Sequence, residues 1–269
     1  DQARSHYLRE AALKKGLGVT CLEEADVVVL PLPRSDGDRE TIGRLRKGQW
    51  AVCGLMDEAA EQALLEKGCR IVRVYRDEQY LVGNSRDSAE GAVWALMGKA
   101  AFALSRARCL VIGFGRLGKA LKAVLEGMGA ETVVAARSPE QRAQAGADSL
   151  TLAQAFGDLS GFDAVINTVP ARILGRAALS TLRPGSLLMD TASAPYGFSV
   201  EEACALRLTA WRENGIPGRD CPMTAADPSA HLPACSDRWK IWRRWTMTCI
   251  PFCPFTPRRE TPVFSASVR

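Results

Sequence analysis

Arg108-Cys109-Leu110-Val111-Ile112-Gly113-Phe114-Gly115-Arg116-Leu117-Gly118 runs on through Lys119 to Gly129, a stretch of helical character. Glu131-Thr132-Val133-Val134-Ala135-Ala136-Arg137-Ser138 follows. A short apolar run closes on G-x-G-x-x-G, a helix opens on the third glycine, and a second apolar run comes after it. This is the strand–turn–helix–strand setting that a dinucleotide site needs. Gly113 permits the tight turn, Gly115 lets the backbone approach a pyrophosphate, and Gly118 lets helix and strand pack closely. Phe114, Arg116 and Leu117 complete the loop. Phosphates would sit at the helix N-terminus, among unpaired N–H groups and the positive end of the helix dipole. Glycine makes up 23 of 269 residues, so the motif alone is weak and a purely structural glycine turn is the alternative. The flanking apolar runs are what favour a nucleotide.

The end of the second apolar run indicates which nucleotide. A site for NAD usually places Asp or Glu there to accept from the ribose 2′-hydroxyl. Here the strand closes on Ala135 and Ala136, followed by Arg137, Ser138 and Pro139. A guanidinium beside a hydroxyl suits a 2′-phosphate by charge and donor geometry. NADP(H) is therefore the expected cofactor, with NAD(H) possible. The competing reading makes Arg137 a solvated residue at a helix start.

Working outward, the downstream half alternates further strands and helices. Phe162 to Val169 reads as a strand ending in Asn167-Thr168-Val169-Pro170. Ser186 to Asp190 reads as another, ending in Asp190-Thr191-Ala192-Ser193-Ala194-Pro195. Ligands of open α/β sheets bind beyond the carboxyl ends of strands. Thr168, Val169 and Pro170 are thus expected near cofactor, and Asn167, Thr168 and Ser193 near substrate. Asp190 could instead simply cap a helix. Ile216 to Ala225, with Pro217, Gly218 and Pro222, reads as an ordered loop. It offers Arg219 for a substrate carboxylate, and Thr224 beside it.

Upstream, Asp1 to Arg4 leads straight into a helix with Tyr7, Leu8, Ala11 and Ala12 at helical spacing. A Rossmann-like domain would place a strand before this helix, and none is read. Strands are expected over 19–22, 25–30, 49–54 and 69–75, with helices over 38–47 and 57–67. Ala92 to Leu104 is almost wholly apolar, so it predicts a helix buried on most sides. Asp87 or Ser88 would cap it, and Glu90 at the cleft mouth is the candidate catalytic carboxylate. The fold expected is α/β, two Rossmann-like parallel-sheet domains joined by a buried interdomain helix. The boundaries are residues 1–83, 84–104 and 105–226, then a divergent or irregular tail over 227–269. The tail is rich in proline, with Trp239, Trp242 and Trp245 three residues apart.

Bulk properties narrow the partners. A net charge of +5, with basic clusters only at 44–47 and 238–244, gives no basic stripe for nucleic acid. No apolar run approaches the roughly 18 residues of a spanning helix, and no signal peptide is read. With only His6 and His231, a histidine-rich metal site is excluded. Of nine cysteines, those at 21, 69, 109 and 204 read as small core residues in a reducing compartment.

In order along the chain these motifs resemble the A subunit of dipicolinate synthase in endospore-forming bacteria. Asp1 to Arg4 resembles the end of that family's opening Gly-Gly-Asp loop, and Asn84 to Gly91 its Glu-Gly segment. Gly113 to Gly118 and Ala136-Arg137-Ser138 match its nucleotide site. Asn167 to Ala171, Asp190 to Pro195 and Pro217 to Ala225 match its later loops. The chain departs from the pattern at Arg86-Asp87-Ser88, where Ile-Pro-Thr is expected, at Ala226 in place of Gly, and throughout the tail. The resemblance implies a two-domain NAD(P)-dependent subunit working with a flavoprotein-like B subunit, and a homo-oligomer. The pair would form pyridine-2,6-dicarboxylate from hydroxytetrahydrodipicolinate, a small dicarboxylate, during sporulation in the mother-cell cytoplasm. Alternatives are a dehydrogenase of the shikimate or hydroxyacid type, and a non-catalytic NADP-binding regulatory subunit.

Overall fold

The computed structural model describes residues 2–14, 16–30, 38–225 and 246–249. Two parallel sheets form, one built mainly from the first half of the chain and one from the second. The first half runs α1 (Gln2–Lys14), β1 (Gly18–Val19), β2 (Val27–Val29), α2 (Asp38–Arg44), β3 (Trp50–Cys53), α3 (Glu58–Glu66) and β4 (Arg70–Arg73). Leu8 and Ala12 of α1 are buried against Val27, Val52 and Val72, as their spacing predicts. Asp57 caps α3 by accepting from the Ala60 N–H at 2.7 Å.

The first sheet holds a fifth strand that the sequence reading did not contain. Thr246–Cys249, the last strand among the described residues (β11), lies parallel between β1 and β2, with Gly18 opposite Thr246 and Cys249 opposite Val29. The tail is therefore not irregular throughout. Its four-residue strand takes the place where a strand preceding α1 was expected. The remaining tail expectations, including the tryptophan spacing, lie outside the described residues.

The connecting helix α4 spans Glu78–Met97. It begins earlier than predicted because Asp77 caps it, accepting from the Gln79 and Tyr80 N–H groups at 2.8 and 3.1 Å. Asp87 and Ser88 are helix-interior, and the Ser88 hydroxyl donates to the Asn84 carbonyl at 2.6 Å. The helix stops at Gly98, well short of Leu104. One side is buried through Ala89, Gly91, Ala92, Val93 and Leu96. The other is open, with Trp94 67% and Met97 49% exposed, so burial on most sides is corrected to burial on one.

The second half continues with β5 (Arg108–Ile112), α5 (Arg116–Gly127), β6 (Glu131–Ala135), α6 (Pro139–Ala145), β7 (Ser149–Leu150) and α7 (Leu152–Gly157). After these come β8 (Ala164–Asn167), α8 (Arg176–Leu179), β9 (Leu187–Asp190), α9 (Val200–Ala205) and β10 (Thr209–Arg212). The sheet order β10-β9-β8-β5-β6-β7 is the doubly wound arrangement, with its switch point between β5 and β8. Both faces are covered. Cys109 and Val111 point into the layer of α4 and α5, whereas Leu110 and Ile112 point into that of α7, α8 and α9. The predicted loop at 216–225 is two short helices, α10 (Ile216–Asp220) and α11 (Pro222–Ala225). Cys69 and Cys109 are buried as expected, but Cys21 and Cys204 are exposed.

Candidate nucleotide-binding site

The glycine loop turns sharply out of β5 at Gly113, whose φ of 93° lies in the left-handed region where a side chain is strained. A Cβ there would also lie 2.5 Å from the Thr168 Oγ1, and one at Gly118 would lie 2.2 Å from the Gly113 carbonyl oxygen. Both glycines are therefore fixed by protein packing. Gly115 differs: a Cβ there meets nothing within 4 Å and its φ of −77° suits any residue. Its lack of a side chain leaves a clear approach to backbone at the start of α5, where no side chain caps the helix. Exposed first-turn N–H groups beside a bare backbone fit a diphosphate. Phe114 is buried, with the Lys119 ammonium 5.8 Å from its ring centre, and Leu117 packs into the core beneath the loop.

At the end of β6, Ala135 and Ala136 are buried and leave no carboxylate where a ribose would lie. Arg137 is exposed and forms no ion pair among the described residues. Arg142 fixes its backbone, donating to the Ala136 and Arg137 carbonyls at 2.9 and 2.8 Å. Ser138 is the N-cap of α6, accepting from the Gln141 N–H at 3.3 Å and donating to Glu140. Of this pair, only the arginine has its donors free of described partners.

The ends of β8 and β9 are tied together by buried polar groups. Asn167 donates to the Asp190 carboxylate and to the Val169 carbonyl, each at 2.9 Å, and its carbonyl accepts from the Val169 N–H at 3.1 Å. Asp190 also accepts from the Ala192 and Gly197 N–H groups at 3.0 and 2.7 Å. A Cβ at Gly197 would lie 2.3 Å from the Asn167 amide nitrogen. Asn167 and Asp190 are thus fully buried and shape the loops, rather than reaching toward substrate. Asp190 does not cap a helix. Thr168 donates its hydroxyl to the Ile112 carbonyl at 2.8 Å, bracing the glycine loop. Val169 approaches the same loop, and Pro170 is exposed beyond it. Ser193 and Thr224 present exposed hydroxyls.

Arg219 is not the free cation that the sequence suggested. It donates to Asp220 and to Glu213, which burial and Trp211 hold in place, and these partners push its pKa up. Sequence reading missed Arg212, at the end of β10, whose guanidinium lies 4.1 Å from the ring centre of Tyr196 and, though its charge reaches Glu201, makes no direct ion pair among the described residues. Tyr196 has a φ of 64° in the loop after β9, a conformation that no local motif announces. Glu90 lines a groove between α4 and α5 with Glu78, Arg86, Arg116 and Lys119, bounded by Phe114 and Gly115 of the glycine loop and by Gln141 and Gln144 of α6. Within that groove Arg116 grips Glu78 through two hydrogen bonds of 2.8 and 2.6 Å, and the guanidinium holds the Glu78 carboxyl below the usual carboxylate range. No cluster of metal-ligating side chains exists among the described residues.

Comparison with known proteins agrees with this geometry. Residues 80–203 match the family model of the D-isomer specific 2-hydroxyacid dehydrogenase NAD-binding domain. The dipicolinate synthase A subunit of Bacillus subtilis (strain 168) is 25% identical over 182 residues, covering 66% of this chain; the chain spans only 61% of that protein's length. The crystal structure of the Bacillus subtilis dipicolinate synthase A chain superposes with a TM-score of 0.73 at 21% identity, covering 86% of this chain and 91% of that one. The A-subunit structure from Bacillus halodurans gives a TM-score of 0.70 at 22% identity, covering 78% and 79%. At these identities the two structures establish the shared fold. Residues 80–203 thus form a dehydrogenase-type NAD-binding domain, and the chain is similar to the dipicolinate synthase A subunit.

Proposed function

We propose that this chain is the NADP(H)-dependent subunit of a dipicolinate synthase, forming pyridine-2,6-dicarboxylate from hydroxytetrahydrodipicolinate with a flavoprotein-like B subunit. The reaction comes from the similarity to the A subunit of that enzyme and would take place in the mother-cell cytoplasm. The observation that supports the cofactor choice is the exposed Arg137, without an ion pair among the described residues, at a strand end that has no carboxylate.

A nicotinamide cofactor, when bound, supplies a hydride acceptor. The chain's own residues bind and orient. Gly113 to Gly118 and the first turn of α5 take the diphosphate, and Arg137 the 2′-phosphate. The locked loops after β8 and β9 fix Thr168, Val169 and Pro170 beside the glycine loop and carry Ser193 toward the cleft. Ser193 and Thr224 offer hydroxyl donors to the substrate carboxylates. Arg212 is the candidate counter-ion there, because Arg219 would first have to leave Glu213 and Asp220. Glu90, on the wall of the groove that reaches Phe114 and Gly115 of the glycine loop, is the candidate carboxylate for proton transfer.

The test is dipicolinate formation from freshly generated hydroxytetrahydrodipicolinate, with and without a B-type partner, each with NADP⁺ and NAD⁺. Product from the pair, faster with NADP⁺, is expected. A folded chain that binds NADPH yet gives no product with its partner would overturn the reaction and leave a cofactor-binding protein.

A further inference from the structure

The loop after β9 holds a residue that neither cofactor binding nor the buried Asn167–Asp190 lock accounts for. Tyr196 has a φ of 64°, in the left-handed region that glycine enters freely and a bulky side chain resists. The loop enforces that backbone from both sides. The Tyr196 N–H donates to the Ser193 carbonyl at 3.0 Å and the Gly197 N–H to Asp190 at 2.7 Å. The Gly197 carbonyl accepts from the Ile173 and Leu174 N–H groups at 3.0 and 2.9 Å. Strain that the surroundings impose in this way clusters at ligand sites, where a side chain has a task. The half-buried Tyr196 ring meets Arg212, whose guanidinium lies 4.1 Å from its centre. In the β9–β10 pairing the Arg212 backbone is opposite Asp190, at the carboxyl end of both strands.

Stacking and ion pairing leave an arginine in different states. A carboxylate consumes N–H donors, as Glu213 and Asp220 do for Arg219, and Glu202 lies 3.6 Å from Arg172. A ring engages only the face of the guanidinium, so the donors around its edge stay open to an anion. Glu201 feels the charge of Arg212, yet it accepts from the Ser199 hydroxyl at 2.5 Å and makes no direct ion pair with the arginine. We propose that Tyr196 is a positioning residue for the dicarboxylate. Its ring holds Arg212, with donors free, at the end of β10 beside the turn that carries Ser193. This role rests on the dicarboxylate reaction proposed for the chain, and Tyr196 acts through Arg212.

The experiment is calorimetric titration of the full chain, loaded with NADPH, with pyridine-2,6-dicarboxylate. Tyr196→Gly removes the ring and suits the φ, so the loop keeps its shape. It should raise the dicarboxylate Kd about tenfold, with NADPH affinity and the circular dichroism spectrum unchanged. Tyr196→Phe keeps a ring face and should stay within about threefold of wild type. Arg212→Ala should raise the Kd about tenfold or more. Tyr196→Gly added to Arg212→Ala should then cost nothing further, because the ring has nothing left to hold. A merely structural tyrosine would weaken binding in both backgrounds. Wild-type binding that Y196G leaves unchanged, or losses that add, would overturn the positioning role and leave the reaction standing. A folded wild type that binds NADPH but takes no dicarboxylate would overturn the reaction and this role together.

Discussion

Arg137 and Gly118 bear different kinds of burden, and substitution separates them. Arg137 touches little of the protein, so Arg137→Ala should leave thermal stability unchanged and raise the Kd for NADPH about 10- to 100-fold. That corresponds to the loss of charge-assisted hydrogen bonds of about 1.5–3 kcal/mol. NADH titration of the same variant is the check, because an equal loss for both cofactors would remove Arg137 from the 2′-phosphate. Gly118→Ala forces a methyl against the Gly113 carbonyl oxygen, 2.2 Å away, and should cost about 1–3 kcal/mol while weakening both cofactors alike. The cysteines offer another residue-level test. Burial pushes the Cys109 thiol up to about 12, so it should resist alkylation at pH 8 until the chain unfolds. The exposed Cys21 and Cys204 should be labelled first, as peptide mapping of a time course would establish.

Elements were legible wherever a local signal set them. The strand, glycine turn and helix around Gly113 were read from spacing, as was the strand end at Ala136, because the reasons lie within a few residues of each other. The start of α4 was misread because Asp77 and Asp87 are equally good caps in sequence. Only the short turn over Val74–Arg76, which brings the chain out of β4, selects the first. Asn167 and Asp190 looked like ligand-facing residues because their partnership spans two strands and is invisible locally. Arg219 looked free for the same reason, since Glu213 reaches it only once α10 forms. These long-range ties predict their own cost. Asp190→Ala strands the Asn167 amide and the Gly197 N–H in a buried site and should destabilise the second half by about 3 kcal/mol in urea unfolding. Gly91→Ala would set a methyl 2.2 Å from the Ile216 side chain. It should detach α10 from α4, read as faster proteolysis of the 216–225 segment.

At the scale of the whole molecule, the sequence predicted two sheets and a connecting helix, and both sheets are present. What it could not reveal was that the first sheet is completed from the tail, since the alternation of Thr246-Met247-Thr248-Cys249 spans only four residues among scattered prolines, too short a run to mark a strand. Thr248→Pro removes the N–H of a strand paired on both sides and should unfold the first half selectively. NADPH binding and the unfolding of the second half should persist in that variant, and loss of both would tie the two halves into one cooperative unit. The same pairing also orders events during synthesis. On a ribosome adding about 5–20 residues per second, β1 and β2 emerge early and wait on the order of ten seconds or more for the strand that lies between them. During that interval two unpaired backbone edges face crowded surroundings, which is where a holding chaperone would engage. The half of the molecule that is made first is the half that is finished last.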